Sequence, residues 1–302
     1  MKKIFVILLC LVLSVSLFAA GAKEAKSDGI TIGFAVSTLS NDFFVTMKEA
    51  GDAKAKMEGI NLITLDAQDS SETQANQIED LINRKVDLII LNPYDSDAIG
   101  TSVELANKAG IPVITVTRAS KMGKVVQHLD IDNKEAGALI AKQLIADFNG
   151  KAEVAMLEGI PGASSTNDRK GGFVDNLAGT NVKVVTALTA NYNREQGATV
   201  TEDILQAYPN ISAVYAHNDE MALGAVRAID AAGKRGKINV YGIDAVDDAI
   251  VALRTGEMIA TVQQQPALQM ETAIDSALAY LAGESVPSRI NIALKLLTKD
   301  NI

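Results

Sequence analysis

From Ile30 onward, short apolar runs alternate with longer stretches whose apolar residues recur at helical spacing. Ile30 to Val36 predicts a buried strand and Val45 to Met57 a helix. Asn61 to Leu65 predicts a second strand, followed by a helix over 71–84 in which Ser71-Glu72-Thr73-Gln74 has the form of a capping box. Asp87 to Leu91 is nearly all apolar, as a strand buried on both faces requires. The polar turn Asn92-Pro93-Tyr94-Asp95-Ser96 leads into a helix ending near Gly110. Ile111 to Val116 then predicts a fourth strand with Thr117 and Arg118 at its end.

After Asp130-Ile131-Asp132-Asn133 and a long helix, the same pattern begins again. Glu153 to Leu157 with the turn Gly159 to Thr166 answers Ile30 to Val36 with Ser37 to Phe44. Val182 to Thr186 answers Asn61 to Leu65, and Ser212 to Tyr215 with His217-Asn218-Asp219 answers Asp87 to Leu91 with Asn92. Asn239 to Ile243 with Asp244 answers the fourth strand. Corresponding elements lie roughly 120 to 127 residues apart, too far for a solenoid repeat and suited to two similar lobes. Met258 to Gln264 is a further strand and Pro266 to Ala282 a helix. Gly283-Glu284-Ser285-Val286-Pro287 breaks the chain before a final strand near Ile292 to Leu296, so the C-terminal part crosses between lobes. The fold class expected is α/β: two similar doubly wound parallel-sheet lobes joined by a multi-crossing hinge, with a ligand cleft between them.

Open α/β sheets place ligands at the carboxyl ends of their strands, which is where polar turns gather in this chain. Ser37, Asn41, Thr117, Arg118, Asn218, Asp244 and Gln264 fall at strand ends, and Arg169 falls just inside a helix. Arg offers a planar fork of donors and Asp accepts from hydroxyls, so together they pair several sugar oxygens without doing chemistry. Taken singly, each of these residues reads as an ordinary cap. Phe43 and Phe44 read either as first-turn core residues or as rings on which the C–H face of a small polyhydroxylated molecule rests.

Composition narrows the function classes. His128 and His217 are the only histidines, in neither a Gly-x-Ser-x-Gly nor a His-Glu-x-x-His setting, and the only cysteine is Cys10. No catalytic triad, transition-metal site or cofactor site is expected. The first strand turn lacks Gly-x-Gly-x-x-Gly, and Gly159-Ile160-Pro161-Gly162 lacks the lysine of a phosphate loop. Lys2 and Lys3, the apolar run Ile4 to Ala20 and the small residues Ala20-Gly21-Ala22 read as an export signal over 1–22, cleaved near Ala22, with a charged leader over 23–28. The formal charge of −9 becomes −11 without Lys2 and Lys3, an acidic balance that excludes nucleic acid as a partner.

Four stretches resemble the periplasmic ribose-binding protein family, the sugar-binding components of ATP-binding-cassette importers. They are Ser37 to Phe44, Asn92-Pro93-Tyr94-Asp95-Ser96-Asp97-Ala98, Ile111-Pro112-Val113-Ile114, and Asn218-Asp219-Glu220-Met221-Ala222-Leu223-Gly224-Ala225. The resemblance runs from about Ile30 to the C-terminus. It implies that a sugar is held between aromatic rings by Ser37, Asn41, Phe43, Phe44 and Arg118 of one lobe and Arg169, Asn218, Asp244 and Gln264 of the other lobe and hinge. Tyr192 falls where the family has a phenylalanine facing the sugar ring. Interlobe crossings are implied near Ile131, Gln264 and Ala293, which makes one lobe of 29–131 plus 265–293 and the other of 132–264 plus 294–302.

Two departures stand out. Asp42 replaces a proline of the turn, and Thr117 stands where the family has an aspartate. Losing a charged hydrogen bond costs roughly 1.5 to 3 kcal/mol, enough to change the preferred ligand. The function expected is therefore a periplasmic, monomeric receptor that closes on ribose or a ribose-like monosaccharide and delivers it to the membrane permease of an importer. Another pentose, a furanose sugar or a sugar alcohol is the alternative ligand. A secreted sugar-modifying enzyme is the alternative class, and it would need a base, nucleophile or cofactor site. A sugar-responsive repressor would need an N-terminal helix-turn-helix where this chain has an export signal. Docking to a chemoreceptor leaves no readable motif and stays open.

Overall fold

Two sheets, each assembled from the apolar runs of one half of the chain, organise residues 29–302, the part described by this computed structural model. The expected export signal and leader lie outside the described residues. The first sheet holds β1 (Thr31–Val36), β2 (Asn61–Asp66), β3 (Leu88–Leu91), β4 (Val113–Val116), β5 (Gln127–Asp130) and β11 (Arg289–Asn291). Its order is β11-β5-β4-β3-β1-β2, with every neighbouring pair parallel. The second holds β6 (Lys151–Glu158), β7 (Asn181–Thr189), β8 (Ala213–Ala216), β9 (Asn239–Asp244), β10 (Ala260–Gln263) and β12 (Lys295–Thr298). The order is β12-β10-β9-β8-β6-β7, and only the β10–β12 pair is antiparallel. The α/β class with two doubly wound lobes is as the apolar pattern predicts.

Helices cover both sheets: α1 (Asp42–Glu58), α2 (Ser71–Asn83), α3 (Gly100–Lys108), α4 (Asn133–Asp147), α5 (Ser164–Asp175), α6 (Arg194–Ala207), α7 (Asp219–Ala231), α8 (Asp247–Thr255) and α9 (Pro266–Leu281). Every residue of β3, β4 and β8 is buried, which is why these strands read as unbroken apolar runs. One core gathers Ala35, Ile78, Leu81, Ile89, Leu91, Val103 and Val113; the other gathers Ile140, Leu144, Val154, Met156, Phe173, Tyr215 and Val262.

Some elements differ from the expectation. Helix α1 begins at Asp42, three residues before Val45, because Asn41 caps it and so draws both phenylalanines into the first turn. The cap of α2 is Ser70, whose hydroxyl accepts from Thr73 N at 3.1 Å, so no capping box starts at Ser71. Gln74 is buried instead and clamps the β3 turn, donating to Asn92 O and accepting from Tyr94 N, both at 2.8 Å. Strand β5 has no apolar signature because its polar side chains bond sideways: Gln127 to Pro287 O at 2.9 Å, and His128 with Thr115 at 2.8 Å. The single final strand resolves into β11 and β12, one in each sheet, with Ile292-Ala293-Leu294 between them.

The chain therefore passes between sheets three times, after β5, after β10 and after β11. These passages are bonded to each other. Ile292 N donates to Asp130 O at 2.8 Å, and Gln265 Nε2 donates to Ala293 O at 2.9 Å. Helix α9 returns to the first sheet, packing on α1 where Gly51 leaves room for Met270.

Within the second lobe, α4 and α5 meet backbone to backbone at Gly137 and Gly172. A methyl group on Gly137 would collide with the carbonyl of Arg169. Gly137→Ala is therefore expected to destabilise the protein by about 1 to 3 kcal/mol through overpacking, and to displace the Arg169 side chain. Denaturant unfolding of the variant against the parent checks this; equal midpoints would show that the helices part without cost.

Candidate functional site

The carboxyl ends of the parallel strands of both sheets face one cleft. At the end of β1 the chain turns through Ser37 to Asn41, whose extended backbone and side chain cap α1: Asn41 Oδ1 accepts from Phe43 N at 2.9 Å. Phe43 and Phe44 follow, buried and edge to face with centroids 5.1 Å apart. At the end of β4, Thr117 takes φ 66°, a left-handed conformation that is unusual for a β-branched residue. Arg118 N bonds back to Val116 O at 2.7 Å across it, a γ-turn that swings the Arg118 side chain into the cleft.

The second lobe answers with Arg169 from α5, Tyr192 after β7, Asn218 at the end of β8 and Asp244 at the end of β9; Gln264 follows β10. Asn218 repeats the role of Asn41, accepting from Met221 N at 3.0 Å as the cap of α7. Tyr192 lies with its ring over Gly159, where any side chain would displace it. Its hydroxyl is fixed by Ser165 at 3.0 Å and Thr166 at 2.9 Å.

The space between these side chains is about 260 Å³, counting its opening to solvent. Asn41, Phe43, Phe44, Thr117, Arg118, Arg169, Tyr192, Asn218, Asp244 and Gln264 all line it. Ser37 does not. It is fully buried behind the turn, where its N–H donates to Asn92 Oδ1 at 3.3 Å and its carbonyl accepts from Asp69 N. Ser165 lines the cavity and was not anticipated. The signal for it was the internal repeat, since Ser165 occupies the turn that answers Ser37 to Phe44.

Charge is concentrated here and shielded from water. Arg118 and Arg169 are each 3% exposed, and Asp244 is 5% exposed. Arg118 lies 5.6 Å from the Phe44 centroid and 5.2 Å from that of Tyr192, and Arg169 lies 5.8 Å from the latter, so both cations lie against aromatic rings of the cleft. Arg169 donates to Asn133 Oδ1 at 2.8 Å and His217 O at 2.5 Å, and stands 4.0 Å from Asp244 Oδ1. Burial pushes the Asp244 carboxyl well above the usual range; Arg169 opposes the shift and Asp219 adds to it. Gln264 Nε2 donates to Asp244 Oδ1. Burial likewise holds the His217 imidazole at about 3, helped by Arg169 and Lys170, so the ring is neutral and its Nδ1 accepts from Gly159 N at 3.3 Å.

Backbone strain collects at the same place. Thr117, Tyr192, Asp244, Ala245 and Gln265 all have positive φ. Such residues cost about 1 to 3 kcal/mol each and persist where the surroundings hold them.

A family model described as a periplasmic binding protein domain matches residues 32–285. The chain is 44% identical over 283 residues to a ribose import binding protein of Bacillus subtilis, covering 93% of this chain and 92% of that one. Among solved structures, it is similar to a periplasmic solute binding protein of Actinobacillus succinogenes with bound D-allose. The TM-score is 0.85 at 36% identity, over 90% of this chain and 98% of the other. It is also similar to a Caulobacter myo-inositol binding protein bound to myo-inositol, with TM-score 0.88 at 31% identity over 93% and 97% of the two chains.

Asp219, just behind Asp244, gives a pH signature. Burial pushes its carboxyl up to about 7, against the bonds it accepts from Thr261 at 2.7 Å and Val246 N at 3.2 Å. The folded state thus binds this proton more tightly than the unfolded chain, where the group titrates near 3.8. Its contribution to stability is full below that value and is lost as pH rises through about 7. Relative to Asp219→Asn, the parent should lose on the order of a few kcal/mol between pH 4 and pH 8. Denaturant titrations across that range check this, and a pH-independent gap between the two proteins would show an ordinary carboxyl.

Proposed function

Since the chain belongs to the periplasmic binding protein family, we propose that it captures a small monosaccharide or sugar alcohol by lobe closure and delivers it to the permease of an ATP-binding-cassette importer. The observation that carries this reading is the cavity lining itself. Three aromatic rings supply apolar faces, and Asn41, Arg118, Arg169, Asn218, Asp244 and Gln264 supply directed polar groups. Both lobes contribute, so a bound sugar favours the closed form by touching both at once. Ribose is the first candidate, with other pentoses, furanoses and polyols next, because Thr117 brings no charged acceptor to the cleft. We further propose that the lobes comprise 29–131 with 265–293 and 132–264 with 294–302. On this reading the chain is exported to the periplasm, loses its signal near Ala22 and works as a monomer.

A binding role rather than catalysis is supported by His217, whose ring is neutral and buried away from the cavity lining, with Nδ1 accepting from Gly159 N. Closure is supported by a clasp at the cleft rim. Ser96 N donates to Gly162 O at 3.3 Å, Ser164 N to Ser96 Oγ at 3.2 Å and Ala119 N to Ser164 Oγ at 3.2 Å. These bonds exist only while the lobes touch, so they tilt the equilibrium without contacting ligand.

Thermal unfolding against a panel of pentoses, hexoses, furanose sugars and polyols tests the reading. A ligand at a hundredfold excess over its Kd adds about 2.7 kcal/mol, and a panel without any shift would sink the sugar assignment. Asp244→Ala and Arg169→Ala should each weaken binding by more than about 2 kcal/mol, since each leaves a buried partner unpaired. Calorimetric titration checks both, and affinity equal to the parent removes that residue from the site. Ser164→Ala should weaken binding by about 1 kcal/mol by releasing the clasp while leaving the lining intact; an unchanged Kd would mean that the rim carries no closure energy.

A further inference from the structure

The cleft is electrically lopsided, and the imbalance points to a ligand class. Its lining has two guanidiniums and one carboxylate. The carboxylate, Asp244, stands at the second-lobe end, 4.0 Å from Arg169, with Asp219 behind it and Glu220 bonded to Arg194. The first-lobe end has Arg118 with no acid in the lining beside it. Thr117, next in the chain, turns its hydroxyl away to donate to Gln269 Oε1 at 3.2 Å. Asp69, exposed at an outer recess that Arg118 also lines, acts on Arg118 from outside.

Arg118 is also short of hydrogen-bond partners. Nη1 donates to Pro93 O at 3.1 Å, whereas Nε is buried with no partner among the described residues. The Nε–Nη2 edge is thus the side of the fork left for a ligand, and that edge matches the two oxygens of a carboxylate. A neutral sugar would strip water from this cation and return only hydroxyl contacts. An anion would return a counter-charge in a place where burial makes charge pairing count most.

We propose that the preferred ligand is a sugar acid: a polyhydroxylated monocarboxylate of monosaccharide size, with its carboxylate on Arg118 and its hydroxyls toward Asp244 and Asn218. This rests on the sugar-receptor reading of the cleft and narrows it. One negative charge fits the one guanidinium that has no acid in the lining beside it.

Matched pairs test it by calorimetric titration and thermal shift of the purified protein: D-ribose against D-ribonate, D-glucose against D-glucuronate, and D-galactose against D-galacturonate. In at least one pair the acid should bind tenfold or more tightly than its neutral partner. Thr117→Asp places a carboxylate beside Arg118 and should reverse that preference; aspartate tolerates the left-handed backbone at 117 better than threonine does, so the variant should fold. Arg118→Gln is the second handle and should bring the acid-to-neutral ratio down toward one. Neutral sugars binding as tightly as their acids in every pair would overturn the sugar-acid inference and leave the sugar-receptor reading standing. An acid preference surviving both substitutions would overturn its assignment to Arg118. No binding by any member of these pairs would overturn the sugar-acid inference, and the sugar-receptor reading would then stand or fall on the wider panel of pentoses, furanoses and polyols.

Discussion

Two guanidinium groups closed off from water in one cleft constrain everything around them. A buried cation is tolerated only where carbonyls, amides or acids replace its hydration, so the structure must deliver such groups at fixed distances. It does so with strand ends. Pro93 O, after β3, serves Arg118, and His217 O, after β8, serves Arg169. Asn133, the first residue of α4, serves Arg169 as well and is itself held by Asp130 at 2.7 Å, on the near side of the first passage between sheets. The cleft and the hinge are therefore one hydrogen-bonded object, and the position of Arg169 is tied to the geometry of the crossing.

Much of this was legible in the residues and some was not, for identifiable reasons. Strands buried on both faces announce themselves as unbroken apolar runs, so β1, β3, β4, β6, β8 and β9 were readable. Strand β5 was not, since its histidine, glutamine and aspartate bond sideways in a way that no periodicity encodes. Strand-end polar residues were readable as a group because topology sends all of those ends to one place. What periodicity could not say is which way each side chain turns. Ser37 and Ser165 are both hydroxyl residues of polar strand-to-helix segments, yet one is walled off behind Asn92 and the other lines the cavity. The cap reading and the ligand reading of Asn41 and Asn218 turn out not to compete, since each amide uses its oxygen for the helix and keeps its nitrogen for other partners.

Strain and specificity coincide at Thr117. A β-branched residue with φ 66° is held there by the bond of Arg118 N to Val116 O and by its own hydroxyl on Gln269. The same twist aims Arg118 at the rings. Backbone conformation at one residue thus decides both the direction of a cation and the polarity of the wall beside it. Tyr192 shows the matching device in the other lobe, with φ 58° and a hydroxyl tethered by α5.

The return of the chain to its first sheet bears on how the protein is made. Helix α9 and strand β11 complete the sheet begun by β1, so that sheet lacks one of its covering helices and an edge strand until residue 291 has been synthesised. At about 5 to 20 residues per second, on the order of ten seconds separate β5 from β11 on the ribosome. The second lobe, apart from β12, is complete in sequence by then. The first sheet is thus completed only after nearly all of the second has emerged, a few residues before β12 ends the second.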